Sequence, residues 1–387
     1  LNSPIATAQG NPPASPEPER LGWVDGLRGL SAVYVAITHV FCHLPLFGKS
    51  QAITLAHAWF SRGHYSVGLF IVLSGFCLGA PVARRNGELG GVKAFFIRRA
   101  RRILPPYYAC LFVTLLLVQC AGLSEPTGSL WQMSQPATPL HIVTHLFLLQ
   151  DFYGPFKVNY VLWSIALEVH LYLIFPLLLT VWRRLGIPAL LALTPLFALA
   201  RWSHLSDHIP QPIFWQYGAL FACGLAAALI AYGPPNLFRH VVLCGGPAFW
   251  IVGTAASLAM MWWNPLDPFY ADLIFGFASS MAIVRFAICP ETLILIPLGS
   301  RIGTFFGSFS YSLYLIHAPL IQLIYLQIVR PMTLNLATAT WMLAAIAPPI
   351  ILPAAYAFYL AFERPSLRRK SRDDAARARR AHAVEST

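Results

Sequence analysis

The chain has 387 residues, of which 57% are hydrophobic and only 11% charged, and a formal net charge of +12. Soluble domains carry about a quarter charged residues, so this composition excludes a soluble globule and predicts an all-α, polytopic membrane protein. The basic residues gather in short loops and at the C-terminal end, where they act as topology signals, which argues against nucleic acid as a partner.

Residues 1–22, rich in Pro, Ala and Ser, hold no apolar stretch followed by a cleavage site and read as a disordered cytoplasmic leader. Residues 23–365 read as a multi-pass domain of about ten spans, and 366–387 as a basic cytoplasmic tail placed near anionic lipid. The first three spans are expected at about Leu27–Phe47, Ser66–Ala83 and Ile103–Ala121, with a basic loop from Arg84 to Arg102 between the second and third. In the second, Gly75 would let a neighbouring helix approach closely. The segment Gly122–Asn159 has several prolines and little charge, and its part near His141 to Gln150 re-enters the membrane or lies along its surface. The remaining spans fit about Tyr160–Trp182, Ile187–Ala200, Ile213–Tyr232, Val241–Trp263, Phe269–Cys289, Ile302–Val329 and Leu334–Phe362. With both termini cytoplasmic, only Lys49, Arg62, Lys157, Arg201 and Arg330 of the 27 Lys and Arg residues fall outside. That asymmetry favours this orientation. The seven cysteines lie in or beside apolar runs without metal-type or disulfide-type pairing and read as packing residues.

Three groups of residues carry chemistry. In the first span Arg28 and His39 stand eleven residues apart, roughly 16 Å and three turns, on a common stripe. A polar residue at membrane depth is a functional candidate by default, with an interfacial anchor and a core histidine as the structural alternative. A metal pair of His39 and His43 lacks a third ligand, and no metal is expected. In the fourth span, which begins Asn159-Tyr160-Val161-Leu162-Trp163, Ser164, Glu168 and Tyr172 share one face. Glu168 is expected near the depth of His39, as the carboxylate that orients a general base, or else as a structural ion pair. The third group is Arg98, Arg99, Arg101 and Arg102. Arginine forks recognise phosphate, so a nucleotide-bearing donor such as an acyl coenzyme A docks there unless the cluster is a topology signal alone.

These residues stand in a recognisable order. Arg28 and His39, the run Leu69-Phe70-Ile71-Val72-Leu73-Ser74-Gly75-Phe76, Arg98-Arg99 with Arg102-Ile103 and Pro105, Trp163-Ser164 with Glu168, Ser310-Tyr311-Ser312-Leu313-Tyr314-Leu315-Ile316-His317 with Pro319, and Glu363-Arg364-Pro365 together resemble the membrane-bound acyltransferase family 3. The resemblance runs from about Asp25 to Pro365. It implies an enzyme of the bacterial cytoplasmic membrane that moves an acyl group, commonly acetyl, from cytoplasmic acyl-coenzyme A to a hydroxyl of a carbohydrate or glycosylated metabolite. It carries catalytic roles onto Arg28, His39 and Glu168 and donor binding onto the arginines Arg98, Arg99 and Arg102. Acyl-coenzyme A is then a co-substrate, and no bound cofactor is expected. Val169 stands where a second acid often follows the Glu, and the chain looks like a stand-alone form without a soluble hydrolase-like domain.

A thioester needs a hydroxyl whose proton is removed as it attacks, and His39 is the base available, with an acyl-imidazole on His39 as the alternative route. Asp25, Ser74, Trp163, Tyr311, Tyr314 and His317 are candidate pocket residues. The competing class is a proton-coupled transporter, which would use the same buried Arg, His and Glu as a relay. No repeat between the two halves supports it.

Overall fold

The computed structural model describes residues 21–45, 51–203, 215–246, 251–256, 259, 267–290 and 295–367, so the expected leader and tail lie almost wholly outside it. Among the described residues every regular element is a helix. Six helices are long and apolar enough to cross a membrane, and a seventh crossing arises if Gln216–Tyr232 and Leu237–Cys244, bent by 80°, form one broken span. The protein is an all-α integral membrane protein. The first helix, α1 (Gly22–Phe41), is not one of the six, because Asp25, Arg28 and His39 lower its hydropathy.

Helix α1 begins a turn earlier than its sequence suggested, which puts Arg28 inside the helix at its second turn. An unexpected helix, α2 (Gln51–Phe60), precedes α3 (Gly63–Arg84), and the Tyr34 hydroxyl donates to the Trp59 carbonyl at 2.6 Å. The largest departure is α4 (Val92–Cys120). The expected basic loop is its first three turns, so Arg98, Arg99, Arg101 and Arg102 lie on a helix. Nothing between Val92 and Leu104 breaks a helix: Arg, Lys, Ala and Phe fill it, and Gly90 and Gly91, both at positive φ, end the preceding turn. The helix continues through Pro105-Pro106, as apolar surroundings permit.

Residues 122–162 form a cap over one end of the bundle, containing a short 3₁₀ turn (Leu130–Ser134) and α5 (Pro139–Leu146). The Tyr107 and Tyr108 hydroxyls of α4 donate to the carbonyls of His145 and Leu146 at 2.9 and 2.8 Å and staple the cap down. Leu140, Val143, Leu146, Phe147 and Leu149 are exposed, as befits a segment lying against lipid. His145 itself is fully buried beneath it, and burial holds its imidazole down at about 4.

Helix α6 (Trp163–Leu185) follows the cap and starts below its buried residues Val158, Asn159, Tyr160 and Leu162. The expected fifth span is two short helices, α7 (Ile187–Leu191) and α8 (Leu193–Trp202), because Pro195 cannot donate to the Leu191 carbonyl and crowds it. Helix α9 (Gln216–Tyr232) is buried continuously from Ala219 to Ala231. A helix apolar all round belongs at the centre of the bundle. Its Gly224 lies against the Val72 carbonyl of α3, and Gly75 of α3 lies against the Phe221 carbonyl of α9, so a Cβ at either position would collide with backbone. Small residues give this backbone-to-backbone packing in a membrane, where apolar burial alone does not drive helices together.

The remaining elements are α10 (Leu237–Cys244), α11 (Pro268–Ile288), α12 (Leu295–Gly299), α13 (Arg301–Ser308), α14 (Ser310–Ile324) and α15 (Leu336–Phe358). Much of the expected seventh span lies outside the described residues. The expected ninth breaks at Phe309 into α13 and α14, and the tenth widens into a π-helical turn at Tyr359–Glu363. Helix α1 packs between α3, α13 and α14 and so runs past every group discussed next.

Candidate active site

The site has an arginine end and a histidine end, joined along α1. At the arginine end a cavity of about 40 Å³ is lined by Arg28, Ser74, Ser164, Glu168, Ser310, Tyr311 and Tyr314 among others. Helix α6 brings Ser164 and Glu168 to it, with Tyr172 on the same face beside Glu168, as their spacing predicts. The Glu168 carboxylate accepts from Ser74 Oγ at 2.8 Å and, through the same oxygen, from the Tyr172 hydroxyl. Both Arg28 and Arg99 interact electrostatically with Glu168 and Tyr172. Arg99 and Arg102, three residues apart on α4, turn the same way: Arg99 lies over the Phe95 and Tyr172 rings at 5.9 and 6.0 Å, and Cys77 is in electrostatic range of Arg28, Arg99 and Arg102 together. The Nε of Arg99 is enclosed without a hydrogen-bond partner among the described residues. Among the described residues the Arg98 side chain makes no hydrogen bond or ring contact, although it stands one turn before Arg102 on the same helix.

A second carboxylate completes this end. Glu363, only 4% exposed, accepts from Ser312 Oγ at 2.6 Å and interacts with Arg102 and Arg28. Sequence reasoning used Glu363 only as part of a motif at the end of the last span. An isolated acid closing an apolar run was the available signal, because a buried charge requires partners.

The histidine end lies under the cap. His39 Nδ1 and His317 Nε2 are 2.7 Å apart, and the His317 Nδ1 donates to the Leu313 carbonyl at 3.1 Å. His317 is fully buried, whereas His39 is partly exposed. The Tyr160 ring of the cap meets His39 edge-on at 5.0 Å, and Tyr314 lies 5.8 Å from His317. Tyr314 also lines the cavity, with its hydroxyl 2.7 Å from Ser164 Oγ and 3.1 Å from the Val161 carbonyl. One tyrosine therefore forms both a wall of the cavity and a neighbour of the imidazole pair.

The expected pairing of Glu168 with His39 does not occur. Helix α6 begins beneath the cap, so its sixth residue reaches the arginine end and bonds to α3 instead. The other candidates divide between the two ends. Tyr311 lines the cavity and donates to the Ile103 carbonyl at 3.1 Å. Trp163 packs on Tyr217 at 5.8 Å. Asp25 faces a separate groove with Gly22, Arg301, Thr304, Phe305 and Ser308, although its charge is felt by Arg28. His43 stands beyond His39, fully buried beside Tyr325. Among the described residues no group of His, Cys, Asp and Glu is arranged to hold a metal ion.

Comparison with known proteins gives a consistent placement. Over 259 residues the chain is 24% identical to "Nodulation protein 10" of Rhizobium leguminosarum bv. viciae, covering 62% of this chain and 66% of that one. It is 24% identical over 335 residues to a "Putative O-acetyltransferase" of Staphylococcus aureus (strain COL), covering 78% of this chain and 51% of the relative. The same identity over 328 residues links it to the "Putative peptidoglycan O-acetyltransferase YrhL" of Bacillus subtilis (strain 168), covering 78% and 48%. The chain thus spans about half to two thirds of the length of these relatives. No solved structure matches it. The model of the acyltransferase 3 family, described as "Acyltransferase domain", matches residues 21–360, which include Arg28, His39, Glu168 and His317 and stop just short of Glu363, and the chain belongs to that family.

Proposed function

We propose that this protein is a membrane O-acyltransferase that moves an acyl group, most simply acetyl, from acyl-coenzyme A to a hydroxyl of a carbohydrate or glycosylated metabolite. One observation carries the reading. A cavity lined by Arg28 and Glu168 has Tyr314 as one wall, and that ring lies 5.8 Å from His317 of the His39–His317 pair, three turns along α1 from Arg28. The O-acetyltransferase names of the relatives support acetyl as the acyl group and a cell-envelope glycan as the acceptor class.

In this mechanism Arg28, Arg99 and Arg102 bind the phosphates of the donor, held in place by Glu168 and Glu363, since guanidinium forks match phosphate oxygens. The flexible arm of the donor lies in the cavity and carries the thioester towards His39. His39 takes the proton of the acceptor hydroxyl as the oxygen attacks the thioester carbonyl. The C–O bond forms, the C–S bond breaks, and the proton passes from His39 to the departing thiolate. Transient acylation of His39 is the alternative route. The arginine end faces the cytoplasm, in keeping with the distribution of basic residues, and the membrane is the bacterial cytoplasmic membrane.

The test is coenzyme A release from labelled acetyl-coenzyme A in inverted vesicles, with the unchanged protein and His39→Ala at matched amounts. Release that depends on His39 supports the reading, and label retained on the protein favours the acyl-imidazole route. Absence of release with short and long acyl donors and a crude envelope acceptor overturns it in favour of a proton-coupled transporter.

A further inference from the structure

We infer that His317 is the positioning residue of the site: it fixes His39 in the tautomer whose Nε2 is bare and directs that nitrogen at the reacting hydroxyl. The inference rests on the proposed role of His39 as base and adds to it the group that takes the orienting place expected for Glu168.

The proton positions follow from the partners. A carbonyl oxygen only accepts, so the His317 Nδ1, 3.1 Å from the Leu313 carbonyl, carries a hydrogen. In a neutral ring the other nitrogen, Nε2, is then an acceptor. The group facing it at 2.7 Å, His39 Nδ1, must donate. With both rings neutral this leaves the His39 proton on Nδ1 and a lone pair on Nε2. Among the described residues His39 Nε2 has no hydrogen-bond partner, and it is not one of the enclosed polar atoms. The basic nitrogen is accessible.

The ring geometry agrees. The two planes are 11° apart, and the centroids are 5.0 Å apart. The 2.7 Å bond and the two ring radii together account for that separation, so the rings lie end to end and nearly coplanar, with the hydrogen bond in plane. His317 cannot swing away to relax this arrangement. It is fully buried, tethered to its own helix at Leu313, and flanked by Tyr314.

The consequence for catalysis is specific. When His39 Nε2 takes the hydroxyl proton, the Nδ1–H bond to His317 becomes charge-assisted and stabilises the imidazolium as it forms. A carboxylate in this position would do the same at the expense of a buried charge in the resting enzyme. A neutral imidazole fixes the tautomer without one.

Three variants and one spectrum test this in the full chain reconstituted in vesicles. In His317→Gln the amide oxygen reaches the place of Nε2 and accepts from His39; in His317→Leu no acceptor remains; His39→Ala reports on the underlying reading. The expected result is that His317→Leu lowers kcat ~100-fold with KM for acetyl-coenzyme A unchanged, and that His317→Gln recovers most of the loss. In ¹⁵N-histidine spectra of the unchanged protein, His39 should carry its proton on Nδ1. Normal kcat in His317→Leu, or equal loss in the Gln and Leu variants, overturns the inference while His39→Ala remains inactive. Turnover retained by His39→Ala instead overturns the reading of His39 as base. If His317→Leu does not fold, the spectrum decides, and a proton on Nε2 of His39 sinks the inference.

Discussion

Ser74 Oγ and the Glu168 carboxylate, 2.8 Å apart, tie α3 to α6 at the point where Arg28 of α1 enters the cavity. The bond is small in itself, but the charge it orients faces two guanidiniums. Glu168→Gln should therefore lower acyl transfer by two orders of magnitude or more. Ser74→Ala, which removes one bond of about 1 kcal/mol, should cost no more than ~10-fold. Coenzyme A release by the two variants, at equal folded amounts, checks the ratio.

Arg99 and Arg102 of α4 should separate from Arg98. Arg99→Gln and Arg102→Gln remove charges in electrostatic range of Glu168 and Glu363 respectively and should each raise KM for acyl-coenzyme A by ~10- to 100-fold, the range of one lost charge-assisted bond. Arg98→Gln should stay within about threefold of the unchanged protein. A titration of initial rate against donor concentration distinguishes this from a topology signal, which would treat all of these arginines alike.

Backbone contact between α3 and α9 leaves no room at Gly75 or Gly224. Gly75→Leu and Gly224→Leu should abolish the folded monodisperse protein in detergent, because the added side chain meets main-chain atoms that cannot rotate aside. Gly218→Ala, where a Cβ meets Phe197 at an ordinary 3.6 Å, should leave the elution profile unchanged.

His145 of the cap is a titrating group outside the spans, with its imidazole brought from 6.5 to about 4 by burial. A folded-state value below the unfolded one means that stability is complete above pH 6.5 and is lost progressively as the pH falls towards 4. At pH 5 the loss from this residue is about 2 kcal/mol. Thermal unfolding of the unchanged protein between pH 7 and pH 5 should fall more steeply than that of His145→Gln, and parallel curves would show that the cap does not depend on a neutral His145.

Much of the architecture was legible because membrane spans are written in long apolar runs, and the boundaries of α3, α9 and α11 fall close to where those runs predict. The breaks were less legible. Pro195 falls in a span that breaks, whereas Pro105-Pro106 lie within a continuous helix, and the sequence marks both in the same way. Candidate side chains were recognisable by being polar inside apolar helices, but their partners depend on where a helix begins relative to its neighbours. Glu168 shows this: its place on the face of α6 was predictable, yet the depth of α6 was set by the cap, whose buried turns have no periodic pattern. The pairing of His39 with His317 spans 278 positions and no spacing rule reaches it.

Helix α4 carries Arg99 and Arg102 before Pro105-Pro106 and the cap-holding Tyr107 and Tyr108 immediately after. The prolines withhold two donors from the carbonyls of Arg101 and Arg102, so the helix has a compliant joint between its two tasks. The arginine half of α4 can thus adjust its direction without carrying with it the half fastened to the roof above the imidazoles.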